Sequence, residues 1–179
     1  EAPPPEAACV DLPLNDLGNG QRLIVHFGAD LIWIPRVGWF VWTGQVWRTD
    51  PDGIEVRRRA HRLTELISRE IWHMPLAAED DRILSEAEAA AQDLEELGVI
   101  PAKDRTDDQL QQMARAAKLL AVAKDIKDRR DKSIGRRLTH AKNAGNSNAI
   151  KNLMTEASAA IARPLADLDA DPLMINTNG

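Results

Sequence analysis

Apolar residues recur at helical spacing along most of the chain. A first helix is predicted to begin at Asn15 or Asp16 and to end at Gly28, because asparagine and aspartate favour N-caps and glycine favours helix ends. Further apolar stripes predict helices at about 53–74, 79–97, 107–132, 134–144 and 148–162. Thr106 or Asp107, Ser133 and Ser147 are the expected N-caps of the last three helices.

Between residues 30 and 49 the apolar pattern changes from a helical to a strand-like period. Leu31–Ile34, Trp39–Trp42 and Gln45–Arg48 predict three short strands, joined by turns at Pro35–Gly38 and Thr43-Gly44. A ribbon this small is not stable alone in water. We therefore predict a mainly α fold, a multi-helix domain with a small Trp-rich antiparallel β-hairpin or three-stranded ribbon near the N-terminus.

Four of the five tryptophans lie in this predicted ribbon. Alternation places Trp39 and Val41 on one face, and Phe40 and Trp42 on the other. Two apolar faces favour burial against the helices. The alternative is a platform on which the bases of a single strand stack.

Composition divides the chain into three predicted parts. Residues 1–13 are proline-rich and indicate a linker or arm. Residues 14–165 form the helical domain, with the ribbon at about 30–49, and residues 166–179 form a connector whose Leu173–Thr177 predicts a strand. We expect a segment of a longer protein, because the chain begins at Glu1 rather than Met and stops just after this strand pattern.

Several classes of site are absent from the sequence. The single cysteine, Cys9, allows neither an internal disulfide nor a cysteine-based zinc site, and no two of the four histidines are three or four residues apart. The chain has no phosphate-binding loop, nucleophile elbow or zinc-peptidase motif. It also has no signal peptide and no apolar run of about 20 residues. We expect a cytoplasmic, non-catalytic segment without a metal or cofactor of its own.

Charge is distributed unevenly. The whole chain has a net charge of −5, whereas residues 101–151 carry 13 basic and 6 acidic side chains, a local charge of +7. Basic residues beside short polar donors and a helix N-terminus suit phosphate oxygens, although a solvated helix face is an equally good interpretation. The candidate DNA-binding residues are Arg129, Arg130, Lys132, Arg136, Arg137, His140, Lys142 and Ser147.

A secondary basic patch lies at the start of the helix predicted at 53–74. The helix dipole disfavours cations at that end, so these arginines gain nothing locally. They form a solvated face or salt bridges to the acidic helix at 79–97, or else a surface that faces phosphates. The patch consists of Arg57, Arg58, Arg59 and Arg62.

The order of these features resembles a known family. An asparagine- and glycine-containing start is followed by a G-W-x-x-W-x-G-x-x-W hairpin and, after a helical stretch, by Asp169–Leu173 and Asn176–Gly179. This order is similar to that of the segment preceding the superfamily-3 helicase module in phage- and plasmid-type primase-helicases, which include the poxvirus primase-helicase. The residues that carry the motif before position 50 are Asn15, Gly18, Asn19, Arg22, Gly38, Trp39, Trp42, Gly44 and Trp47.

The resemblance implies a function for the segment. The parent would be a replication protein of a phage, prophage or plasmid, often with a primase upstream, and ATP and magnesium would be needed only by an ATP-driven helicase downstream. The segment would be a non-catalytic collar that binds single-stranded or forked DNA and helps subunits to assemble, as a ring in the full-length protein. The alternative is a protein-interaction or oligomerisation module without DNA contact.

Overall fold

The computed structural model describes residues 3–165. Within them a three-stranded antiparallel sheet accompanies six α-helices, so the predicted mainly α fold is confirmed. The predicted connector at 166–179 lies outside the described residues, as does its Leu173–Thr177 strand. The elements in chain order are α1 (Pro5–Cys9), α2 (Asp16–Phe27), β1 (Leu31–Ile34), β2 (Gly38–Trp42), β3 (Trp47–Asp50), α3 (Ile54–Arg69), α4 (Ala78–Gly98), α5 (Asp107–Ala144) and α6 (Ser147–Ala160).

The chain divides into two compact units. Within the described residues the first unit contains 3–74 and 136–165, and the second contains Pro75–Gly135. Short 3-10 helices at Gly28–Asp30, Glu70–His73 and Ala102–Asp104 follow α2, α3 and α4 respectively. The sequence predicts one helical domain at 14–165, whereas the structure distributes those residues over two units.

The core of the first unit is built from α2, α3 and α6, the apolar face of the sheet, and the C-terminal part of α5. The stripe predicted on α6 is confirmed, since Ile150, Leu153 and Ala157 are fully buried. On α3 the buried positions are Val56, Ala60, Leu63 and Ile67, at helical spacing. Burial of these stripes supplies most of the stability of the helices, because isolated helices of this length are marginal in water.

The sheet has the order β1-β2-β3. Trp33 on β1 lies opposite Trp39 on β2, and Trp42 lies opposite Trp47 on β3. The third strand begins two residues later than predicted, because Thr43 and Val46 close a turn in which the Thr43 amide donates to the Val46 carbonyl at 3.0 Å. Gly44 takes a φ of +95° in this turn, a conformation that glycine adopts without strain.

The start of α3 depends on a carboxylate for which the sequence pattern indicated no role. Gly53 is the N-cap residue in a left-handed conformation and offers no side-chain cap. The buried Asp50 carboxylate instead accepts hydrogen bonds from the main-chain amides of Ile54, Glu55 and Val56, at 2.9–3.1 Å. This cap joins the last strand to α3 and satisfies amides that have no partner within the helix.

Residues 3–13 differ from the loose arm that the prolines indicate. Residues 5–9 form α1, in which Pro5 takes the first position, where its missing N–H is not needed. Cys9 and Val10 are buried, and the carbonyls of Cys9, Leu12 and Pro13 accept hydrogen bonds from Arg22. The segment is ordered because a distant arginine supplies its donors.

The second unit contains α4 and the N-terminal part of α5, up to Gly135. Thr106 caps α5 as predicted, through a reciprocal pair in which the Gln109 amide donates to Thr106 and the Thr106 amide donates to Gln109. Gln112 on α5 donates to Asp93 on α4 at 3.1 Å. The buried apolar residues of the described unit are small apart from one isoleucine: Ala87, Ala90, Ala116, Ala123 and Ile126.

The prediction of two helices at 107–132 and 134–144 is wrong. The single helix α5 runs from Asp107 to Ala144, and Ser133 lies inside it. Serine is tolerated in a helix interior as well as at an N-cap, and neither proline nor a strained glycine interrupts the segment. The predicted cap of the next helix also shifts by one position, since Asn146 is the N-cap of α6 and Ser147 is its first residue.

Candidate nucleic-acid interface

Two of the candidate cations in the first unit are available at the surface. Arg136 and Lys142 are exposed on the C-terminal part of α5, and Ser147 is exposed at the first turn of α6. Neither cation has an ion pair with any residue from 3 to 165. The charges of the two cations and the Ser147 hydroxyl are therefore available for the phosphate contact that the sequence predicts.

Arg137 is a correction to the predicted DNA-binding set. It is only 7% exposed and forms an ion pair with Glu70, while its second amino group donates to the Val10 carbonyl at 2.6 Å. A buried, paired guanidinium cannot meet a phosphate at the surface. The residue lies on the buried side of α5. Because basic and acidic residues alternate along this helix, the sequence did not show which side would be buried.

Glu70 is the centre of a buried ion cluster. Its carboxylate accepts from Arg22 at 2.7 Å and 3.1 Å and also pairs with Arg137, and both Arg22 and Glu70 are fully buried. Two cations share one carboxylate, and main-chain carbonyls accept from Nη1 and Nη2 of Arg22 and from Nη2 of Arg137. The cluster therefore joins α1, α2, the turn after α3 and α5. Sequence reasoning missed Glu70, although its position between Ile67 and Ile71 on the apolar stripe was a signal.

The His140 side chain contacts a buried residue of α2. Its Nε2 lies 2.8 Å from the Asn19 side-chain oxygen. Burial lowers the pKa of His140, and the neighbouring Arg22 guanidinium lowers it further. The ring is therefore mainly neutral near pH 7, which removes the cationic phosphate contact expected of it.

The motif at the start of α2 is explained by close packing. The Asn15 side chain caps α2 by accepting from the Gly18 amide at 2.9 Å. A Cβ at Gly18 would lie 1.9 Å from the Pro13 carbonyl oxygen, and one at Gly20 would lie 2.8 Å from the Cβ of Glu156 on α6. The glycines allow neighbouring chain segments to approach α2, and Asn19 and Arg22 supply its buried polar contacts.

The three candidate cations of the second unit differ from one another in their exposure and in their partners. Arg129 is exposed and lies 3.5 Å from Asp80 on α4, Arg130 is half-buried, and Lys132 is exposed. Arg130 has a further interaction within the structure. Lys132 has no ion pair with any residue of the described range, so it is the most available of the three.

The secondary patch on α3 is partly neutralised. Arg58 pairs with Glu55 in the same helix, and the Arg62 guanidinium lies 5.2 Å from the centre of the Phe27 ring. Arg57 and Arg59 are half-buried.

The tryptophans have separate environments. Trp39 is 6% exposed and lies 5.1 Å from Trp33, ring centre to ring centre, so it belongs to the core. Trp42 and Trp47 are half-buried on the other face, with ring centres 5.5 Å apart. Trp72, for which the sequence pattern indicated no role, is 80% exposed. Burial therefore excludes Trp39 from base stacking and leaves Trp42 accessible.

Metal-binding and membrane-spanning features are both absent from the described residues. No group of three or more histidine, cysteine, aspartate or glutamate residues between 3 and 165 could hold a metal ion. Over the same range, none of the helices has the length and apolarity needed to cross a membrane.

These features define a small, mainly helical module with a Trp-containing sheet, a buried ion cluster and exposed basic residues. The chain belongs to the family described as "D5 N terminal like", which matches residues 20–179. That family is the N-terminal region of D5-like primase-helicases, which makes the chain a replication-associated segment. No curated protein and no solved structure matches the chain.

Proposed function

We propose that this chain is the DNA-binding and assembly segment, or collar, of a replicative primase-helicase. Membership of a family that forms the N-terminal region of such enzymes carries the proposal. The parent is a phage, prophage or plasmid replication protein that acts in the cytoplasm. ATP and magnesium are used by a helicase module beyond this segment, and the segment itself is not catalytic.

DNA contact is supported by cations that the fold leaves at the surface. Arg136 and Lys142 in the first unit and Lys132 in the second are exposed and have no acidic partner among residues 3–165. Ser147 adds a hydroxyl at the start of α6. Such side chains bind phosphates of any sequence, so the contact is expected to be electrostatic and to weaken as salt is added.

The proposal is tested by fluorescence anisotropy with labelled single-stranded and forked DNA at several salt concentrations. Replacing Lys132, Arg136 and Lys142 together by alanine should weaken binding. It should also flatten the salt dependence on a single strand, by about 0.7 in slope for each phosphate that is no longer neutralised. Arg82→Ala is the matched control, because Arg82 is exposed but already paired with Glu79 and Glu86. Equal affinities and slopes for wild type and the triple variant would refute DNA contact by these cations.

Assembly without DNA contact is the second candidate, and the second unit favours it. Helix α4 carries eight acidic residues and one basic residue, a surface that repels DNA. Val99, Leu110 and Val122 are exposed apolar residues of the same unit. Light scattering over a range of protein concentrations tests self-association. Oligomers that form without any DNA binding would favour this function over the first.

A further inference from the structure

The side of α5 that faces away from α4 carries an exposed apolar stripe. Ala116 and Ala123 are buried and line the clefts between α4 and α5, so they mark the side of α5 that packs on α4. At about 3.6 residues per turn, the stripe lies about 100–160° around the helix from Ala116. Its four residues are all exposed, and the first is 47% exposed: Leu110, Ala114, Ala117 and Ala121.

The spacing of the stripe is typical of a contact between two helices. Its residues follow one another at intervals of four, three and four, which is the a/d spacing of a coiled coil. The same spacing continues to a charged residue at each end, Asp107 before the stripe and Lys124 after it. A seam of six positions, with apolar residues in the middle and opposite charges at its ends, therefore runs along the exposed side of α5.

The two end charges of the seam lack partners in the described chain. Asp107 and Lys124 are both exposed, and neither forms an ion pair with any residue from 3 to 165. They are about 25 Å apart along the helix axis at about 1.5 Å per residue, so they cannot neutralise each other within one helix. Each end of the seam therefore offers a charge that an opposite charge from another molecule can meet.

We propose that this seam docks a second copy of the chain, with the two α5 helices antiparallel across a two-fold axis. In this register Asp107 of each copy faces Lys124 of the other, so both ends of the contact are neutralised. A parallel pair would place Asp107 against Asp107 and Lys124 against Lys124. The charges of the seam therefore favour the antiparallel arrangement and a partner that carries the same seam.

The apolar middle of the seam fits the same register. Leu110 of one copy lies opposite Ala121 of the other, a large residue against a small one, and Ala114 lies opposite Ala117 at the centre. Small residues at the centre allow the two helices to approach closely, and the large-to-small pairs fill the space on either side. A contact limited to one helix pair is smaller than the about 1,200–2,000 Å² of a stable complex. The dimer is therefore expected to be weak and to form at high protein concentration.

This inference rests on the assembly part of the proposed function and names one surface for it. A two-fold contact uses the same surface of both copies and is complete with two of them. It is therefore distinct from the contacts that would close a ring.

The first test is sedimentation equilibrium of the full chain between about 1 µM and about 1 mM, a range that includes the Kd of weak complexes. Wild type should show a monomer–dimer equilibrium. Ala117→Glu should weaken dimerisation at least about tenfold, because it places two carboxylates at the centre of the contact. Ala89→Glu is the matched control, since Ala89 is exposed on α4 outside the seam and should leave dimerisation unchanged. Circular dichroism checks that each variant keeps its helices.

Charge reversal tests the register. Asp107→Lys and Lys124→Asp should each weaken dimerisation about tenfold, because each creates two like-charge pairs in a symmetric dimer. An equimolar mixture of the two variants should dimerise as wild type does, since every reversed charge then meets its opposite. A parallel pair would leave each single variant as strongly dimeric as wild type, and that result would refute the proposed register.

The outcomes separate the inference from the proposed function. If wild type self-associates and Ala117→Glu self-associates equally, the seam assignment is wrong while assembly stands. Oligomers larger than a dimer that Ala117→Glu disrupts would refute the two-fold geometry. A wild-type chain that is monomeric at about 1 mM would refute both the seam and self-association of this segment. None of these results changes the DNA contact, which anisotropy measures separately.

Discussion

At the scale of single residues, burial divides one basic stretch of sequence into two roles. Arg136 and Arg137 are neighbours, yet the first is exposed and the second pairs with the buried Glu70. Both arginines look alike in the sequence, because their helix has acidic and basic residues on several sides. The partner that separates them lies 67 positions away. The count of charges along the sequence therefore located the basic segment, but it could not show which of its cations are exposed and unpaired.

Replacing Glu70 by glutamine should lower the free energy of unfolding by about 3–5 kcal/mol, because two buried arginines would lose their counter-charge. Chemical denaturation monitored by tryptophan fluorescence measures the change. Glu65→Gln is the control, since Glu65 forms an exposed pair with Arg69 that contributes less than about 1 kcal/mol. A decrease below about 1 kcal/mol for Glu70→Gln would show that the cluster is not needed.

The lowered pKa of His140 predicts a pH dependence of stability. Burial and Arg22 lower this pKa from its ordinary 6.5, with Glu70 and Asp16 opposing them and Arg137 assisting. Below pH 6.5 the unfolded chain binds the proton more readily than the folded one, so stability should fall as pH falls.

His140→Gln, which can still donate to Asn19, should reduce this decrease of stability on acidification. Part of the decrease should remain, because burial also lowers the pKa of His26. Denaturation at a series of pH values from neutral to mildly acidic measures the effect, with the exposed His61→Gln as control. An unchanged pH profile for His140→Gln would contradict the assignment.

At the scale of elements, glycines in two helices have opposite structural roles. Gly18 in α2 lies against the carbonyl of Pro13, whereas nothing lies within 4 Å of the place where a Cβ would stand at Gly135 in α5. The first glycine allows the N-terminal segment to pack on α2. The second only weakens its helix, since glycine is a poor helix former.

The two glycine-to-alanine substitutions should therefore change stability in opposite directions. Gly18→Ala should destabilise the protein by about 1–3 kcal/mol, because the Pro13 carbonyl must move. Gly135→Ala should stabilise it by up to about 1 kcal/mol. Circular dichroism during urea unfolding compares the two variants. Stabilisation by Gly18→Ala would mean that residues 3–13 do not pack as described.

At the scale of the whole molecule, the two units have different cores. The first unit buries leucine, isoleucine and tryptophan side chains around a central cluster. The described core of the second unit consists mainly of alanines, so less apolar area is removed from water per residue. The second unit should therefore be the less stable of the two.

Unfolding should be resolved into two transitions. All five tryptophans precede Pro75, so fluorescence reports on the first unit alone, whereas circular dichroism follows the helices of both. The circular dichroism signal should begin to fall at a lower urea concentration than the fluorescence changes. Coincident curves would mean that the units unfold together.

Local pattern determined most of the secondary structure. Helical stripes predicted α3 and α6 within a few residues, the change of period predicted the sheet, and Asn15 and Thr106 were correctly taken as caps. These features depend on neighbours within one or two turns, so the sequence contains them. The resemblance to primase-helicases was also readable, since its motif combines glycines and tryptophans at fixed spacing, and the match over residues 20–179 confirms the N-terminal family of those proteins.

Only the tertiary structure decided which residues meet across long separations. It paired Arg22 and Arg137 with Glu70, tied the proline-rich segment to α2, and continued α5 through Ser133. Each outcome depends on burial, which follows from how whole elements pack rather than from spacing along the chain. The sequence by itself therefore determined the elements and the family, and packing decided which charged and aromatic side chains remain free to bind a partner.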